Sequence, residues 1–280
     1  MDKIYIIGNG FDLDLGLKTS YQDFLYSNYF TEMLQPNSSN QLARYLSEIK
    51  QKETWVDIEV ELKNYVAKSI YDKSNLRQEY QEILQRLEKY LENINTEKNI
   101  DSGAYRMMQE VASLINLHQY EIIVVNFNYT HSVENILLAN EVSEEDIKKT
   151  LVYPHGKLGS EGIVFGLEDQ SGIDTSYNFI KKSGRPGYTG ISLWGNHFAK
   201  ANEIYIYGHS LGTSDKMYFE PLFQFLVTTP GPKTFYIYCK EGDTEKYQDR
   251  IMELTADRLG TLISQHKYKL NAVTKGKAVF

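Results

Sequence analysis

The chain contains one cysteine, Cys239, in 280 residues, so neither a disulfide framework nor a cysteine-based zinc site can form within a single chain. Long apolar runs are also absent, because no window approaches the ~18 consecutive apolar residues of a membrane span. The N-terminus enters a strand pattern without a charged and apolar leader before it. We therefore expect a cytoplasmic protein with no membrane association and no bound metal.

Clusters of basic residues are sparse as well. The net charge is −7, and the longest basic cluster consists of Lys181, Lys182 and Arg185. Nucleic-acid surfaces need clustered Lys and Arg side chains, so no direct nucleic-acid partner is expected, and we interpret the cluster as a solvated loop. Hydrophobic residues make up 41% of the chain, which is enough to fill the core of one large domain or two small ones.

Strand and helix patterns alternate along most of the chain. Ile4, Tyr5, Ile6 and Ile7 form an uncharged apolar run that is typical of a strand buried on both faces of a parallel sheet. This alternation predicts an α/β fold with a mostly parallel, Rossmann-like sheet flanked by helices. Later strand patterns lie at 121–125, 151–153, 163–165, 203–207 and 234–239. Helical patterns lie between or after them, at 132–139, 192–201, 215–227 and 244–259.

The region between the first two strand patterns is mostly helical in pattern. Apolar residues recur at three- and four-residue steps from Leu76 to Ile94 and again from Met107 to Ile115. The region is much longer than the dozen or so residues of an ordinary crossover between parallel strands. We predict a large helical insertion lobe at residues 31–119 and an α/β nucleotide-binding core formed by residues 1–30 and 120–280.

One segment of this lobe, WVDIEVELKNYV, fits both a strand and a helix, and we prefer a helix. Thr54 and Asp57 resemble a capping box at its start. Asp57, Glu59 and Glu61 are expected to form a solvated face, although this segment could also carry an acid into a pocket.

The loop after the first strand contains Gly8 and Gly10. Glycine permits positive φ and lets a ligand approach the main chain, so the loop is expected to cradle phosphate, with a tight turn as the alternative. The dinucleotide fingerprint G-x-G-x-x-G is not met, because Leu13 stands where its third glycine would be. Asp12 is expected to accept a ribose hydroxyl or to cap the following helix.

Polar residues follow three further strand patterns. Ligands of doubly wound sheets bind beyond the carboxyl ends of the strands, so these residues predict one shared nucleotide site. We expect His131 to be a polar residue at a helix N-terminus and His209 to be a turn or packing residue. The polar residues are Asn126, Asn128, Tyr129 and Thr130 after the second strand, His155 with Gly156 after the third, and Gly208, His209, Ser210 and Asp215 after a later one.

These motifs resemble those of a known family. The spacing of Gly8, Gly10 and Gly16 is similar to that of the sirtuin loop G-x-G-x-x-x-x-x-G, and NFNYT is similar to the sirtuin T-Q-N-x-D segment. His155-Gly156 resembles the sirtuin His-Gly pair, and GHSL resembles the later G-[ST]-S loop. In this order, and over nearly the whole chain, the combination resembles the bacterial abortive-infection AbiH family, which is sirtuin-like.

The resemblance implies a role in defence against bacteriophage and cleavage of NAD between ribose and nicotinamide. It implies that Asn128 holds the nicotinamide ribose and positions water, that His155 is the general base and that Ser210 meets the adenosine ribose or a phosphate. A homo-oligomer or a phage-derived trigger is a further expectation. The nucleotide-binding residues that we predict are Gly8, Asn9, Gly10, Asp12, Gly16, Asn126, Gly208, Ser210 and Asp215.

The sequence departs from sirtuin deacylases. One cysteine cannot build their four-cysteine zinc ribbon, so protein deacylation is not expected. Phe127 stands in place of a sirtuin glutamine, Asp12 in place of a serine and Lys18 in place of a proline. Another nucleotide therefore remains an alternative substrate, and a non-catalytic nucleotide sensor or partner-binding component remains an alternative function.

A serine esterase is the rival enzyme. IYIYGHSLG is a G-x-S-x-G sequence after a strand, the pattern of the α/β-hydrolase nucleophile elbow. In this interpretation Ser210 is the nucleophile, and Asp243 or Asp257 with His266 completes the triad.

Overall fold

A computed structural model of the chain describes residues 2–52, 57–68, 74–94, 98–160, 162–169, 171–229 and 231–273. The strands are β1 (Lys3–Ile7), β2 (Ile122–Asn126), β3 (Leu151–Val152), β4 (Gly156–Lys157), β5 (Gly162–Ile163), β6 (Glu203–Tyr207), β7 (Thr234–Lys240) and β8 (Lys267–Val273). The helices are α1 (Asn9–Asp14), α2 (Tyr21–Tyr26), α3 (Asn28–Thr31), α4 (Gln41–Lys50), α5 (Ile58–Ala67), α6 (Leu76–Glu92), α7 (Gly103–Asn116), α8 (Ser132–Ala139), α9 (Glu144–Thr150), α10 (Gly195–Lys200), α11 (Lys216–Thr228), α12 (Thr244–Leu254) and α13 (Leu259–Gln265).

Six strands form one parallel sheet in the order β3-β2-β1-β6-β7-β8. The order runs outward in both directions from β1, which is the arrangement of doubly wound dinucleotide-binding sheets. The sheet is flanked by helices, so the predicted α/β fold with a mostly parallel sheet is confirmed. In such a sheet the crevice for a ligand lies at the carboxyl ends of β1 and β6, where the strand order reverses.

The central strands are apolar because both of their faces are covered. Ile4, Ile6 and Ile7 of β1 and Val124 and Val125 of β2 are completely buried. The pairing of β1 with β2 and with β6 aligns all five residues of each strand, which brings the three carboxyl ends level at one edge. The polar loops that follow β1, β2 and β6 therefore begin at the same edge of the sheet, directly after the apolar runs end.

The C-terminal part of the sheet differs from the prediction. The helix predicted at 244–259 ends at Leu254, because Ala256 and Asp257 adopt positive φ angles and turn the chain into α13. The edge strand β8 was missed, since Lys267 and Lys269 interrupt its apolar pattern. Lysine is common on edge strands because its charge discourages pairing with another chain.

The chain divides into two compact units. The sheet unit comprises Met1–Leu17, Thr96–Pro154 and Thr189–Phe280, and the helical unit comprises Lys18–Asn95 and His155–Tyr188. These units divide the chain at other positions than the predicted lobe of residues 31–119. In particular, α7 belongs to the sheet unit, and residues 155–188 belong to the helical unit.

The helices of the helical unit begin at local caps. Ser20 and Asp23 form a reciprocal capping box at α2. Asp57 caps α5 by accepting hydrogen bonds from the main-chain nitrogens of Glu59 and Val60. The helix predicted for this segment is confirmed, whereas Thr54 lies outside the described residues.

The strand predicted at 163–165 does not join the parallel sheet. The two-residue strand β5 pairs antiparallel with β4 in the helical unit. A close approach requires glycine in this hairpin, because a Cβ on Gly156 would lie 2.3 Å from the carbonyl oxygen of Gly162.

A buried ion pair joins two segments of the helical unit. Lys182 Nζ lies 2.9 Å from Glu59 Oε2, and neither side chain is more than 5% exposed. The other carboxylate oxygen, Glu59 Oε1, accepts a hydrogen bond from the main-chain nitrogen of Gly166. The expectations that Lys182 lies in a solvated loop and that Glu59 lies on a solvated face are therefore wrong, because each charge finds its partner far away in the sequence.

Candidate functional site

The loops after β1 and β6 pack backbone against backbone. Gly10 N donates to Gly208 O at 2.8 Å, and a Cβ on Gly10 would lie 2.6 Å from Gly208 Cα. A Cβ on Gly8 would lie 2.4 Å from His209 Cα. The expected positive φ is wrong for both glycines: Gly8 has a φ of −119°, and Gly10 is not among the positive-φ residues. Close approach of the second loop is what requires glycine at these two positions.

The same packing occupies the main-chain amides of the glycine loop. Gly8 N donates to Tyr207 O, Gly10 N donates to Gly208 O and Phe11 N donates to Gly8 O. These three N–H groups already have partners, so they do not form a phosphate cradle in this arrangement.

Gly16 has a separate role at the end of α1. It has a φ of 85°, its N–H donates to Leu13 O, and Leu17 N donates to Asp12 O. These paired bonds around a left-handed glycine form a Schellman motif, which ends the helix.

Asp12 is completely buried on α1. Its two carboxylate oxygens accept hydrogen bonds from Thr130 Oγ1 at 2.6 Å and from Ser132 Oγ at 2.5 Å. The side chain makes no capping bond to α1, so the expected helix-capping role is wrong. The carboxylate instead ties α1 to the segment that leads from β2 into α8.

Burial raises the pKa of Asp12 to about 6, from a usual value of 3.8. Hydrogen bonds from Ser132 and Thr130, the amide of Asn128 and the charge of Lys98 all oppose this rise, because they favour the ionised form. Lys98 is itself half-buried, and desolvation lowers its pKa. Asp12 therefore titrates close to neutral pH, as groups that bind or transfer protons in functional sites often do.

We expect Asp12→Asn to stabilise the protein at neutral pH. Between about pH 4 and pH 6, Asp12 is protonated in the folded protein but ionised in the unfolded chain. The stability contributed by this proton is therefore present below about pH 4 and lost above about pH 6, a difference of about 3 kcal/mol at ~1.4 kcal/mol per pKa unit. Urea unfolding of both proteins from about pH 4 to pH 8 should show the variant gaining on the wild type as the pH rises, and a constant difference would contradict the raised pKa.

Two buried asparagines lie at the carboxyl end of β2. Asn126 is 0% exposed and Asn128 is 6% exposed, and Asn126 Oδ1 accepts a hydrogen bond from Asn128 N at 3.1 Å. Neither Nδ2 atom makes a hydrogen bond of full geometry within the described residues, although the amide of Asn128 lies close enough to the Asp12 carboxylate to lower its pKa, and the amide of Asn126 does the same to the Tyr153 hydroxyl. An unsatisfied buried donor costs about 1–3 kcal/mol, so these two amides are suited to an incoming hydrogen-bond acceptor.

The sequence from residue 4 to residue 238 matches the protein family described as AbiH, Bacteriophage abortive infection AbiH. The chain belongs to this family. The match begins in β1 and ends in β7, so it includes each of the strand ends described above. A comparison with curated proteins found no match. The AbiH resemblance is thus confirmed, whereas the sirtuin-like detail stays a prediction.

His209 of this AbiH-family chain is a packing residue, as expected. Its ring contacts Phe127 and Phe219 at centroid distances of 4.6 and 4.7 Å. Nδ1 accepts a hydrogen bond from Leu211 N, so the neutral ring carries its proton on Nε2, which lies 3.5 Å from Asp215 Oδ2. Asp215 is therefore placed beside a buried histidine.

Ser210 is exposed, and its Oγ accepts a hydrogen bond from Gly212 N at 3.3 Å. The serine esterase triad is not assembled around it. His266 directly precedes β8 and is buried at the amino ends of the parallel strands, whereas Ser210 follows the carboxyl end of β6. Lys233 N donates to its Nδ1, and its Nε2 bonds to Leu226 O, so both ring nitrogens are engaged by backbone. The elbow geometry is absent too, since Leu211 rather than Ser210 has the positive φ.

His155 belongs to the helical unit. It is 5% exposed, it forms a β-bridge with Tyr188, and its carbonyl oxygen accepts a hydrogen bond from Val164 N at 2.6 Å. The predicted cooperation of His155 with Asn128 stays a prediction. His131 is the N-cap residue of α8, and its Nδ1 lies 3.0 Å from Glu134 Oε2, which confirms the expected position.

The sheet unit thus brings Asp12, Asn126 and Asn128 to one edge, together with groups that the sequence did not single out. Ser132 was considered only as the first residue of a helix, although its spacing of two residues from Thr130 could have indicated that both hydroxyls face the same neighbour. Lys98 carried no sequence signal, because it lies in an irregular segment before α7. Within the described residues, no cluster of His, Cys, Asp and Glu could hold a metal ion, and no helix has the length and apolarity to cross a bilayer.

Proposed function

We propose that this AbiH-family protein acts in abortive infection by binding a nucleotide at the carboxyl edge of the parallel sheet and hydrolysing NAD at the bond between ribose and nicotinamide. The observation that carries the proposal is the pair of buried amides, Asn126 and Asn128, whose Nδ2 atoms make no hydrogen bond of full geometry among the described residues, with the Asp12 carboxylate beside Asn128. They follow a central strand of a sheet whose order is that of dinucleotide-binding proteins. Ribose hydroxyls and phosphate oxygens are suitable acceptors for both amides.

The chemistry needs few protein groups. The glycosidic C–N bond breaks with its electrons going to nicotinamide, water adds to the ribose carbon and one proton is released. The transition state resembles an oxocarbenium ion, so a buried carboxylate stabilises it by its charge. Asp12 supplies such a carboxylate above about pH 6. Asn128 orients the ribose, and the resemblance assigns the general base to His155.

We expect Asn128→Ala to lower NAD hydrolysis at least about a hundredfold, because misplacing the reacting ribose by ~1 Å has an effect of this size. Release of free nicotinamide from NAD, measured with and without an extract of phage-infected cells, tests this expectation and the predicted trigger. Asn116→Ala is the matched control, since Asn116 is an exposed asparagine of the same unit. Nicotinamide release by His155→Ala, measured in the same way, tests the general base assigned to His155.

The same variants separate the alternatives. Equal nicotinamide release by wild type and Asn128→Ala would refute the assigned role. NAD binding that is lost in Asn128→Ala, without release of nicotinamide in any condition, would replace hydrolysis by sensing. Plaque counts on bacteria expressing either protein test the defence role, which requires fewer plaques with the wild type than with the variant.

A further inference from the structure

We propose that Arg185 and Tyr80 of the helical unit form a phosphate-binding position. The guanidinium carbon of Arg185 lies 5.8 Å from the centroid of the Tyr80 ring. Arg185 Nε is buried and has no hydrogen-bond partner among the described residues. An arginine side chain that is held on a ring with a buried donor unused is prepared for an acceptor from outside the chain.

The ring beneath the guanidinium is rigidly held. Tyr80 is 1% exposed, and its hydroxyl donates to Phe165 O at 2.5 Å. Its ring also stacks on Phe165, with an interplanar angle of 12°. Because the Tyr80 ring is already ordered, binding of a ligand to Arg185 does not carry the entropic cost of ordering the ring beneath it.

The neighbouring carboxylates are engaged elsewhere. Glu59 pairs with Lys182, and Glu88 accepts a hydrogen bond from Ile163 N. Burial is the main cause that raises the pKa of Tyr80; Arg185 and Lys182 lower this pKa and the two carboxylates raise it, which places these four charges near the ring.

The geometry favours phosphate as the ligand chemistry. A guanidinium presents several N–H donors in a planar fork, which matches two oxygens of a phosphate group. Free phosphate and the phosphate of a nucleotide share this chemistry. The inference does not depend on the proposed NAD hydrolysis, because it uses residues of the helical unit alone.

Calorimetric titration of the full chain with inorganic phosphate, AMP and adenosine tests the proposal. We expect Arg185→Gln to bind both phosphate compounds at least about tenfold more weakly than the wild type, since a charge-assisted hydrogen bond is worth roughly 1.5–3 kcal/mol and ~1.4 kcal/mol is a factor of ten in affinity. Arg77→Gln is the control and should bind as the wild type does, because exposed Arg77 lies over a different ring, that of Phe179, at 4.4 Å. Binding of AMP alone would assign the position to nucleotides, and binding of both to the phosphate group itself.

A second measurement does not rely on a variant. The Nε–H resonance of Arg185 in the wild-type protein should shift on addition of phosphate but not of chloride at the same ionic strength. Unchanged binding in Arg185→Gln, or an unmoved resonance, would overturn the proposal. Phosphate binding that persists while NAD is not cleaved leaves this position intact and removes only the proposed reaction.

Discussion

Gly10→Ala is expected to destabilise the sheet unit by at least about 3 kcal/mol, the upper range for overpacking of a core. The added Cβ would lie 2.6 Å from Gly208 Cα and 2.9 Å from Gly208 O. Both atoms are backbone, so no side-chain rotation can relieve the clash, and the loops after β1 and β6 must separate. This would also break the hydrogen bond from Gly10 N to Gly208 O.

Urea or thermal unfolding of the two proteins measures this effect. Gly260→Ala is the matched control, because Gly260 lies in α13 and its added Cβ would meet no atom within 4 Å. In a helix this change is expected to be neutral or to stabilise by up to ~1 kcal/mol. A Gly10→Ala protein that unfolds at the wild-type midpoint would show that the two loops are not in contact.

Lys182→Met is expected to lower the free energy of unfolding by about 3–5 kcal/mol, the usual effect of removing one partner from a buried ion pair. The variant leaves the Glu59 carboxylate buried without the ammonium group of Lys182, while Gly166 N still donates to it. Desolvation of a carboxylate that has lost its cationic partner, rather than loss of an attractive contact, accounts for most of the lost stability.

The double variant Lys182→Met with Glu59→Gln distinguishes these two causes. It should recover most of the lost stability, because no charge remains buried. Lys149→Met is the control, since Lys149 forms an exposed ion pair with Glu145 on α9. This variant should unfold as the wild type does. A double variant as unstable as Lys182→Met would contradict the explanation by desolvation.

Some elements could be predicted from local pattern because their environment is uniform along the chain. The runs of β1 and of residues 122–125 in β2 are apolar at every core position, so they indicate buried parallel strands without further information. The predicted helix at 132–139 is observed with the same bounds. The edge strand β8 could not be found in this way, since its lysines resemble those of a solvated loop.

The position of some polar residues at the sheet edge was predictable, but their contacts were not. Polar residues after apolar strands indicated one edge of the sheet, and Asp12, Asn126 and Asn128 do follow adjacent strands there. The loop glycines were assigned to a phosphate, whereas their N–H groups bond to backbone. Nothing in the local sequence shows that Gly208 lies against Gly10, because close approach depends on the register of β1 and β6.

The sequence by itself determined the family, the alternation of strands and helices, and the edge of the sheet at which polar groups collect. Only the tertiary structure decided that Lys182 is buried against Glu59, that Asp12 has a pKa near 6, and that the glycines of two loops support each other. The reason is physical. Hydrophobic periodicity acts over a few residues, whereas burial, charge compensation and backbone contact depend on groups that are distant in the chain and adjacent only after folding.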